Sequence, residues 1–279
     1  MPVGQGQTGA NFWVTGIGKA NILEAEEYRV FNSRILAGTT NGSNNLLVGI
    51  YANLANGGGF NNSFIGYSAG RNQTTGSGNT FTGSWAGQAN TTGSNNSYYG
   101  SQMGYSGGPG STGNFNSTFG HRSGEGLWNS SGSLNSFFGT GSGFSNSTGS
   151  SNMFAGHDSG SANTTGSFNT TIGENADLAT GNLTNATAIG SKSFVAQSNS
   201  LVLGSINGVN GATADTNVGI GTTTPANKLH VNGTIRVTNG AVYITNPNTL
   251  IITSPNGACW GITVNNSGGL ATFPVTPCP

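Results

Sequence analysis

A glycine returns at nearly constant spacing through most of this chain, each time just after a short apolar stretch. Examples are "NNSFIGYSAG" at 61–70, "GNTFTGSWAG" at 78–87 and "NNSYYGSQMG" at 95–104. Self-similarity at a fixed short period is typical of stacked repeats, so this feature constrains the fold most. Successive intervals are 17, 17, 17, 20, 19, 17, 17, 17 and 14 residues between these anchor glycines: Gly49, Gly66, Gly83, Gly100, Gly120, Gly139, Gly156, Gly173, Gly190 and Gly204.

Other columns keep the same register. A second glycine follows the anchor by four residues in six consecutive copies, at Gly70, Gly87, Gly104, Gly124, Gly143 and Gly160. A third column holds Gly76, Gly93, Gly113, Gly132, Gly149 and Gly166. An asparagine stands four residues before the anchor: Asn45, Asn62, Asn79, Asn96, Asn116, Asn135, Asn152 and Asn169. The irregular intervals place their extra residues around Pro109 and Trp128, in turns, where a stacked repeat tolerates insertion.

One repeat is too short for a βαβ crossover or a helical hairpin. Its order of apolar strand, glycine turn, polar strand and glycine turn suits one coil of a β-solenoid, because glycine supplies the positive φ of tight corners. Asparagines in one column can hydrogen-bond along the stack as a ladder. The sequence therefore predicts an all-β chain, a parallel β-roll or β-solenoid with coils of about 17 residues.

The residues one and two positions before the anchor are both apolar in several coils. Neighbouring strand residues point to opposite faces, so one fills the coil and the other needs a partner. Homo-oligomerisation around the rod axis would cover it. A monomeric solenoid with an exposed aromatic face explains the period as well. The predicted trimer and core stripe is Phe64, Ile65, Tyr98, Tyr99, Phe119, Phe137, Phe138 and Phe154.

Charge and composition narrow the functional classes. Acids and bases balance at eight each, so we expect no nucleic-acid partner and no attraction to anionic lipid. We see no secretory signal after Met1, and no apolar run approaches the ~18 residues of a membrane span, so we expect no membrane insertion. The two cysteines, Cys259 and Cys278, form either one bridge or a reduced pair.

The repeat pattern resembles the left-handed β-roll heads of trimeric autotransporter adhesins and the roll-type repeats of bacteriophage tail fibres. The segment "NVGIGTTTPANKLHVNGTIRV" at 217–237 is similar to one that recurs near the end of the shaft in phage tail fibres. The last residues, 254–279, resemble the C-terminal ends of predicted phage tail proteins. The resemblance covers about 45–279 and implies a left-handed homotrimer, a structural role in a virion and recognition of a host surface.

Two departures refine this expectation. An autotransporter would carry a signal peptide and a membrane-anchor barrel, and we see neither. Many fibres with the "VGIGTTTP" segment continue into a self-cleaving chaperone domain, whereas this sequence runs only about forty residues further, so autoproteolysis is not carried over. We therefore expect a short virion fibre, assembled in the host cytoplasm, with a bacterial surface adhesin or extracellular filament subunit as the alternative.

The pattern predicts four segments: 1–43 for attachment or capping, 44–204 for the β-roll, 205–240 as a transition and 241–279 as a small β tip. Residues 19–34 hold six of the sixteen charges and suit a short amphipathic helix or an extended arm. We expect this segment to dock on other virion proteins; closing the first coil is the alternative. The candidate docking residues are Glu24, Glu26, Glu27, Tyr28, Arg29, Phe31 and Arg34.

The C-terminal segment alternates apolar and polar residues and therefore predicts antiparallel strands with Asn-Pro and Asn-Gly turns. The candidate tip residues are Trp260, Cys259 and Cys278. Core packing of Trp260 is favoured over stacking on a sugar. The host-side partner of such a tip would be a surface glycan or protein.

The sequence predicts no enzyme, no cofactor and no metal site. Glu174 and Asp177 are interpreted as turn caps rather than a glycosidase pair. His121 and His157 share a column and are interpreted as surface turn residues, although three copies of either around an axis would form a ligand set. Two further rivals are an ice-binding solenoid, which needs a flat column of paired threonines, and a polysaccharide depolymerase, which needs a groove lined by carboxylates.

Overall fold

The computed structural model describes residues 27–30, 33–38, 44–55, 58–104, 110–127, 130–242, 244, 249–265 and 267–277. They belong to two compact units, Met1–Val218 and Gly219–Pro279. Strands fill both units, and a single 3-10 turn at Glu125–Leu127 is the one helical element in these ranges.

The first fourteen strands are β1 (Glu27–Val30), β2 (Ser33–Gly38), β3 (Leu46–Val48), β4 (Ser63–Ile65), β5 (Thr80–Thr82), β6 (Ser97–Tyr99), β7 (Ser117–Phe119), β8 (Ser136–Phe138), β9 (Met153–Ala155), β10 (Thr170–Ile172), β11 (Asp177–Leu178), β12 (Ala186–Ile189), β13 (Phe194–Val195) and β14 (Ser200–Leu203). Five more follow: β15 (Val218–Ile220), β16 (Leu229–Val231), β17 (Leu250–Thr253), β18 (Cys259–Val264) and β19 (Leu270–Val275).

Ten of these strands, β3 to β10 with β12 and β14, lie side by side in one sheet, and each pairs in parallel with the next. Their register puts equivalent repeat positions opposite each other; Phe64, for example, lies opposite Phe81. The structure is therefore a parallel β-solenoid of about nine turns with coils of about 17 residues. This confirms the all-β repeat fold that the period predicts.

Glycine is required at the anchor corner and, in six consecutive coils, at a second corner four residues later. At the anchor, Gly66 has φ +136, and a Cβ atom there would lie 2.4 Å from the carbonyl oxygen of Gly83 in the next coil. At the second column, Gly70 has φ +57, and its Cβ would lie 2.7 Å from the ring of Phe64. Both the backbone conformation and the close approach exclude a side chain, which explains why these columns repeat.

The centre of the core is a column of side chains two residues before each anchor, here called the inner column; Ala69, Ala86 and Met103, three residues after their anchors, are buried against it. Its aromatic rings stack: Phe64 on Phe81 at 4.9 Å, Phe81 on Tyr98 at 4.8 Å, and Phe137 on Phe154 at 5.0 Å. The stack is interrupted by Thr118, whose hydroxyl contacts the Met103 sulfur at 3.3 Å. At 0–2% exposure, the inner column comprises Leu47, Phe64, Phe81, Tyr98, Thr118, Phe137, Phe154, Thr171 and Ala188.

The asparagine column forms the predicted ladder, mainly through the backbone. Asn62 Oδ1 accepts the backbone N–H of Asn79 in the next coil at 2.9 Å, while its Nδ2 donates to the carbonyl of Gly76 at 3.0 Å. The first of these contacts recurs in every coil from Asn45 to Asn169. Each buried amide thus gives a partner to two buried backbone groups, an N–H of the next coil and a glycine carbonyl at the corner.

A second buried ladder, three residues before the third glycine column, was not anticipated from the sequence. Asn163 Nδ2 donates to Asn146 Oδ1 at 2.6 Å and to the Gly166 carbonyl at 3.0 Å. Gln73 and Asn90 form the same pair near the other end of the stack. In the two coils with insertions, Ser111 and Ser130 replace the amides, and their hydroxyl oxygens lie 3.4 Å apart.

The described N-terminal residues are extended. Strand β1 pairs antiparallel with β2, and β2 pairs antiparallel with β3, so a hairpin covers the edge of the first coil. Over 27–30 and 33–38 this corresponds to the extended alternative rather than the helix. An unpaired edge strand is prone to association, so this pairing also closes the solenoid at that end.

The second unit contains a two-stranded sheet, β15 with β16, and a three-stranded antiparallel sheet, β17–β18–β19. Trp260 lies opposite Ile252 on one side and Pro274 on the other. Cys259 is buried and disulfide-bonded, while Cys278 lies outside the described residues. Trp260 is 44% exposed, so the prediction that it packs in the core is wrong for the single chain.

Candidate functional site

The candidate site is the outer face of the parallel sheet, defined as the residues one and three positions before each anchor glycine. Strand alternation points these side chains away from the inner column. The residues one position before the anchor are Val48, Ile65, Thr82, Tyr99, Phe119, Phe138, Ala155, Ile172, Ile189 and Leu203. Those three positions before it are Leu46, Ser63, Thr80, Ser97, Ser117, Ser136, Met153, Thr170, Thr187 and Leu201.

Aromatic rings stack on this outer face as they do inside. Tyr99 stacks on Phe119 at 5.0 Å and Phe119 on Phe138 at 5.1 Å, both pairs within 8° of parallel. The larger apolar side chains of the column, from Ile65 to Leu203, are 37–46% exposed in the single chain. An ordered apolar stripe of this length is typical of an interaction surface.

No residue of the outer face is charged. The charges of the coils lie on the other side of the anchor glycines, for example Arg122, Asp158 and Lys192. Burying this face would therefore remove no ion from water and would avoid a desolvation cost of several kcal/mol per ion. The outer face combines an apolar stripe with hydroxyl groups. Two copies of it could therefore pack together without bringing like charges into contact.

The residues five positions before the anchor, here called the corner column, border the outer face. All of them, from Asn44 to Asn199, adopt a left-handed conformation, and most are asparagine, serine or glycine. Phe115, Leu134 and Phe168 are instead large and apolar; they share the left-handed conformation, with φ between +58 and +61, and are 58–63% exposed. A bulky residue in this conformation is strained, and strain combined with exposure points to a role outside the single chain.

The predicted stripe residues separate into two groups. Phe64, Tyr98, Phe137 and Phe154 belong to the inner column, whereas Ile65, Tyr99, Phe119 and Phe138 belong to the outer face. The sequence names both groups because they are adjacent, and only the direction of each side chain distinguishes them.

Tyr98 is the one inner ring with a hydroxyl. Burial raises its pKa, and a side-chain hydrogen bond to Asn116 acts in the opposite direction. The hydroxyl thus meets the asparagine ladder, which explains how a tyrosine is accommodated in this column.

The carboxylates and histidines are dispersed. Asp177 caps a neighbouring coil: it accepts from the Ser161 hydroxyl at 2.9 Å and from the Ala162 N–H at 3.1 Å, and burial raises its pKa. His121 contacts Gln102 at 3.1 Å, and His157 lies 3.4 Å from Asp158. In the part of the chain that the structure describes, no three such side chains gather into a metal-binding group.

The threonine pairs do not present two parallel hydroxyl columns. The first member donates to a carbonyl of the next coil, Thr74 to Thr91 and Thr91 to Ser111, each at 3.0 Å. Thr75 and Thr92, the second members, remain exposed. These two coils therefore present one exposed threonine column, Thr75 and Thr92, whereas an ice-binding solenoid needs two.

The candidate docking residues fall partly within the described ranges. Glu27, Tyr28 and Arg29 lie in β1 and Arg34 lies in β2. Glu24, Glu26 and Phe31 lie outside the described residues. The hairpin therefore brings the described members onto neighbouring strands at the edge of the first coil.

No helix within the described ranges is long and apolar enough to cross a membrane. No protein-family model, curated protein or solved structure matches this chain.

Proposed function

We propose that this chain is the subunit of a short homotrimeric fibre in a bacteriophage virion. In this role the N-terminal segment attaches to other virion proteins, the stacked coils form a stiff spacer, and the C-terminal strands contact a host-surface glycan or protein. The role is structural and adhesive rather than catalytic. Three copies would multiply weak host contacts through avidity.

The observation that carries the proposal is the charge-free outer face with its stacked rings. Moving a large apolar side chain from full exposure to full burial contributes about 1.5–3 kcal/mol. Association would gain the share of this that belongs to the 37–46% of each side chain still exposed, repeated along the column. In a parallel arrangement about one axis, each side chain would meet its own copy at the same height. Such like-to-like contact is favourable only where charge is absent, as it is on this face.

The number of copies and the virion context come from resemblance. The repeats and the segment at 217–237 resemble trimeric phage fibres, and the bulky residues of the corner column border the face that a trimer would bury. Closed rotational symmetry also prevents the apolar column from recruiting further chains.

Sedimentation equilibrium of the purified chain tests the assembly. We expect a trimer for the wild-type protein and a monomer for the double variant Phe119→Ser with Phe138→Ser, because two of the stacked outer rings are lost. Phe144→Ser is the matched control: this ring is also exposed, at 36%, but it packs near Arg122 off the outer face. A stable lone chain in the wild type would refute the fibre.

Electron microscopy of purified virions tests the location. Gold-labelled antibodies against the chain should decorate particles at a fixed structural position, and the label should disappear from particles that lack the gene. If the protein is trimeric but the antibody never labels virions, the proposed assembly is supported and the proposed virion role is refuted.

One observation favours the alternative of a bacterial surface adhesin or extracellular filament subunit. Cys259 is disulfide-bonded, and disulfides persist mainly in oxidising compartments. Antibody labelling of intact producing cells in the absence of phage particles would favour this alternative over the virion fibre.

A further inference from the structure

Three aromatic side chains break the repeat pattern on the first three coils, just after the anchor glycines. The Tyr51 and Tyr67 rings lie 5.6 Å apart and edge to face, and the Tyr67 and Trp85 rings lie 4.9 Å apart in the same arrangement. Tyr51 is 46% exposed and Tyr67 41%. Together with Arg71 these residues form what we call the aromatic patch.

The fold does not require these rings. One position after the anchor, other coils have Ser84, Ser101 and Thr140 in place of Tyr67. Two positions after it, the column of Tyr51 and Trp85 is left-handed from Tyr51 to Lys192, and in the other coils of that range it holds small or polar residues such as Ser68, Gln102 and Gly141. Tyr51 and Trp85 are the large aromatic rings in this strained column, and their clustering with Tyr67 points to a functional position.

Arg71 gives the aromatic patch a positive charge. Arg71 is the only charged residue between positions 44 and 104, so these coils contain no carboxylate. Its guanidinium carbon lies 5.8 Å from the centre of the Tyr51 ring, which holds the cation beside the rings. Charge complementarity therefore favours an anionic ligand.

The backbone of the patch excludes a peptide that binds by adding a strand. The Ser68 N–H donates to the Ile50 carbonyl and the Trp85 N–H to the Tyr67 carbonyl, each at 2.8 Å, so these N–H groups already bond the preceding coil. Recognition then depends on side chains. Exposed rings offer apolar surfaces to C–H groups, and a guanidinium binds a planar carboxylate with two parallel hydrogen bonds.

We propose that the aromatic patch binds an acidic saccharide. The rings stack against the apolar faces of the sugars, and Arg71 pairs with a uronic-acid carboxylate. The patch follows the anchor glycines whereas the outer face precedes them, so this site is separate from the proposed interface and does not depend on it. It also places a saccharide site on the side of the solenoid, far in sequence from the C-terminal strands.

Calorimetric titration of the full chain with trigalacturonate tests the proposal, with neutral galactotriose as the matched probe. We expect heat of binding for trigalacturonate alone. Arg71→Gln and Tyr67→Ser should each weaken the affinity at least tenfold. Both introduce residues found in the same columns one coil later, Gln88 and Ser84, so the fold is retained. Arg236→Gln removes an equal charge in the second unit and should leave binding unchanged.

Trp85→Asn separates a binding role from a structural one. Asparagine tolerates the left-handed conformation, so we expect an unchanged or higher melting temperature together with at least tenfold weaker binding of trigalacturonate. The proposal is overturned if the wild-type chain does not bind trigalacturonate or binds galactotriose equally. It is also overturned if Arg71→Gln leaves the affinity unchanged, or if Trp85→Asn lowers the melting temperature without weakening binding.

Discussion

The inner column and the outer face are built from neighbouring residues of the same strands, yet they meet opposite environments. Phe137 is completely buried and stacks on Phe154 at 5.0 Å, while Phe138 is 39% exposed and stacks on Phe119 at 5.1 Å. Ring spacing is the same on both sides because it is set by the separation of paired strands. The stacking of the rings is thus a consequence of the repeat on both sides of the sheet. What distinguishes the inner column from the outer face is how far the side chains are buried.

This difference indicates which contacts the single chain provides for itself. The inner column is enclosed by the glycine corners and by two amide ladders, all within one chain. No equivalent layer covers the outer face within the described residues. We therefore expect substitutions on the two sides to differ in kind as well as in size.

The largest expected effect separates the two rings of one strand. Phe137→Ala should lower the free energy of unfolding by about 3–5 kcal/mol at every protein concentration, because it leaves a cavity in the inner column. Phe138→Ala should change mainly the part of the stability that depends on protein concentration, because it weakens association. Urea denaturation at several concentrations measures both. Equal, concentration-independent losses would remove the distinction between the two faces.

The ladder gives the next largest effect. Asn135→Ala should cost about 1–3 kcal/mol, because it leaves the Asn152 N–H without the Oδ1 that it contacts at 3.0 Å. It also removes one of the two amide donors to the Gly149 carbonyl, the other being Asn146 at 3.0 Å. Ser136→Ala, on the outer face of the same strand, is the control and should change the unfolding free energy by less than about 0.5 kcal/mol. A similar cost for both variants would show that the ladder adds no specific stability.

A gain is expected at the corner column. Phe168→Asn should raise the unfolding free energy of the dissociated chain by about 1 kcal/mol, since asparagine adopts the left-handed conformation with less strain. The same change should weaken self-association, because it removes an exposed apolar side chain next to the outer face. Thermal denaturation and sedimentation of the variant test the two effects separately. Loss of stability in the dissociated chain would show that Phe168 supports the fold.

The smallest effect concerns pH. Burial raises the folded-state pKa of Asp177 above its ordinary value of 3.8. The folded chain therefore binds the proton more tightly than the unfolded chain, and this stabilisation is present below pH 3.8 and is lost as the pH rises through the folded pKa. As the pH rises from 3.8 through the folded-state pKa, the unfolding free energy of the wild type should therefore fall relative to that of Asp177→Asn. A pH-independent difference would contradict the burial effect.

Much of the fold can be predicted from residues that recur at a fixed spacing in the sequence. The asparagine and glycine columns predict the coil length, the corners and the ladder, because each depends on local geometry repeated in register. The second ladder escaped prediction because insertions break its spacing and because Ser111 and Ser130 replace amides in those two coils. The sequence favours core packing of Trp260, but alternation in β18 does not specify which face of the sheet is covered, and Trp260 is 44% exposed in the single chain.

Taken alone, the sequence determined the period, the positions that must be glycine, and the buried asparagines, because a fixed repeat length leaves few ways to close a coil. It did not determine which of two adjacent apolar residues faces inward, since alternation specifies opposite directions without naming the interior. Only the tertiary structure decided that, by stacking the coils around Phe64 and Phe137 and leaving Ile65 and Phe138 outside. It also brought Tyr51, Tyr67 and Trp85 together from separate coils, which no local pattern records.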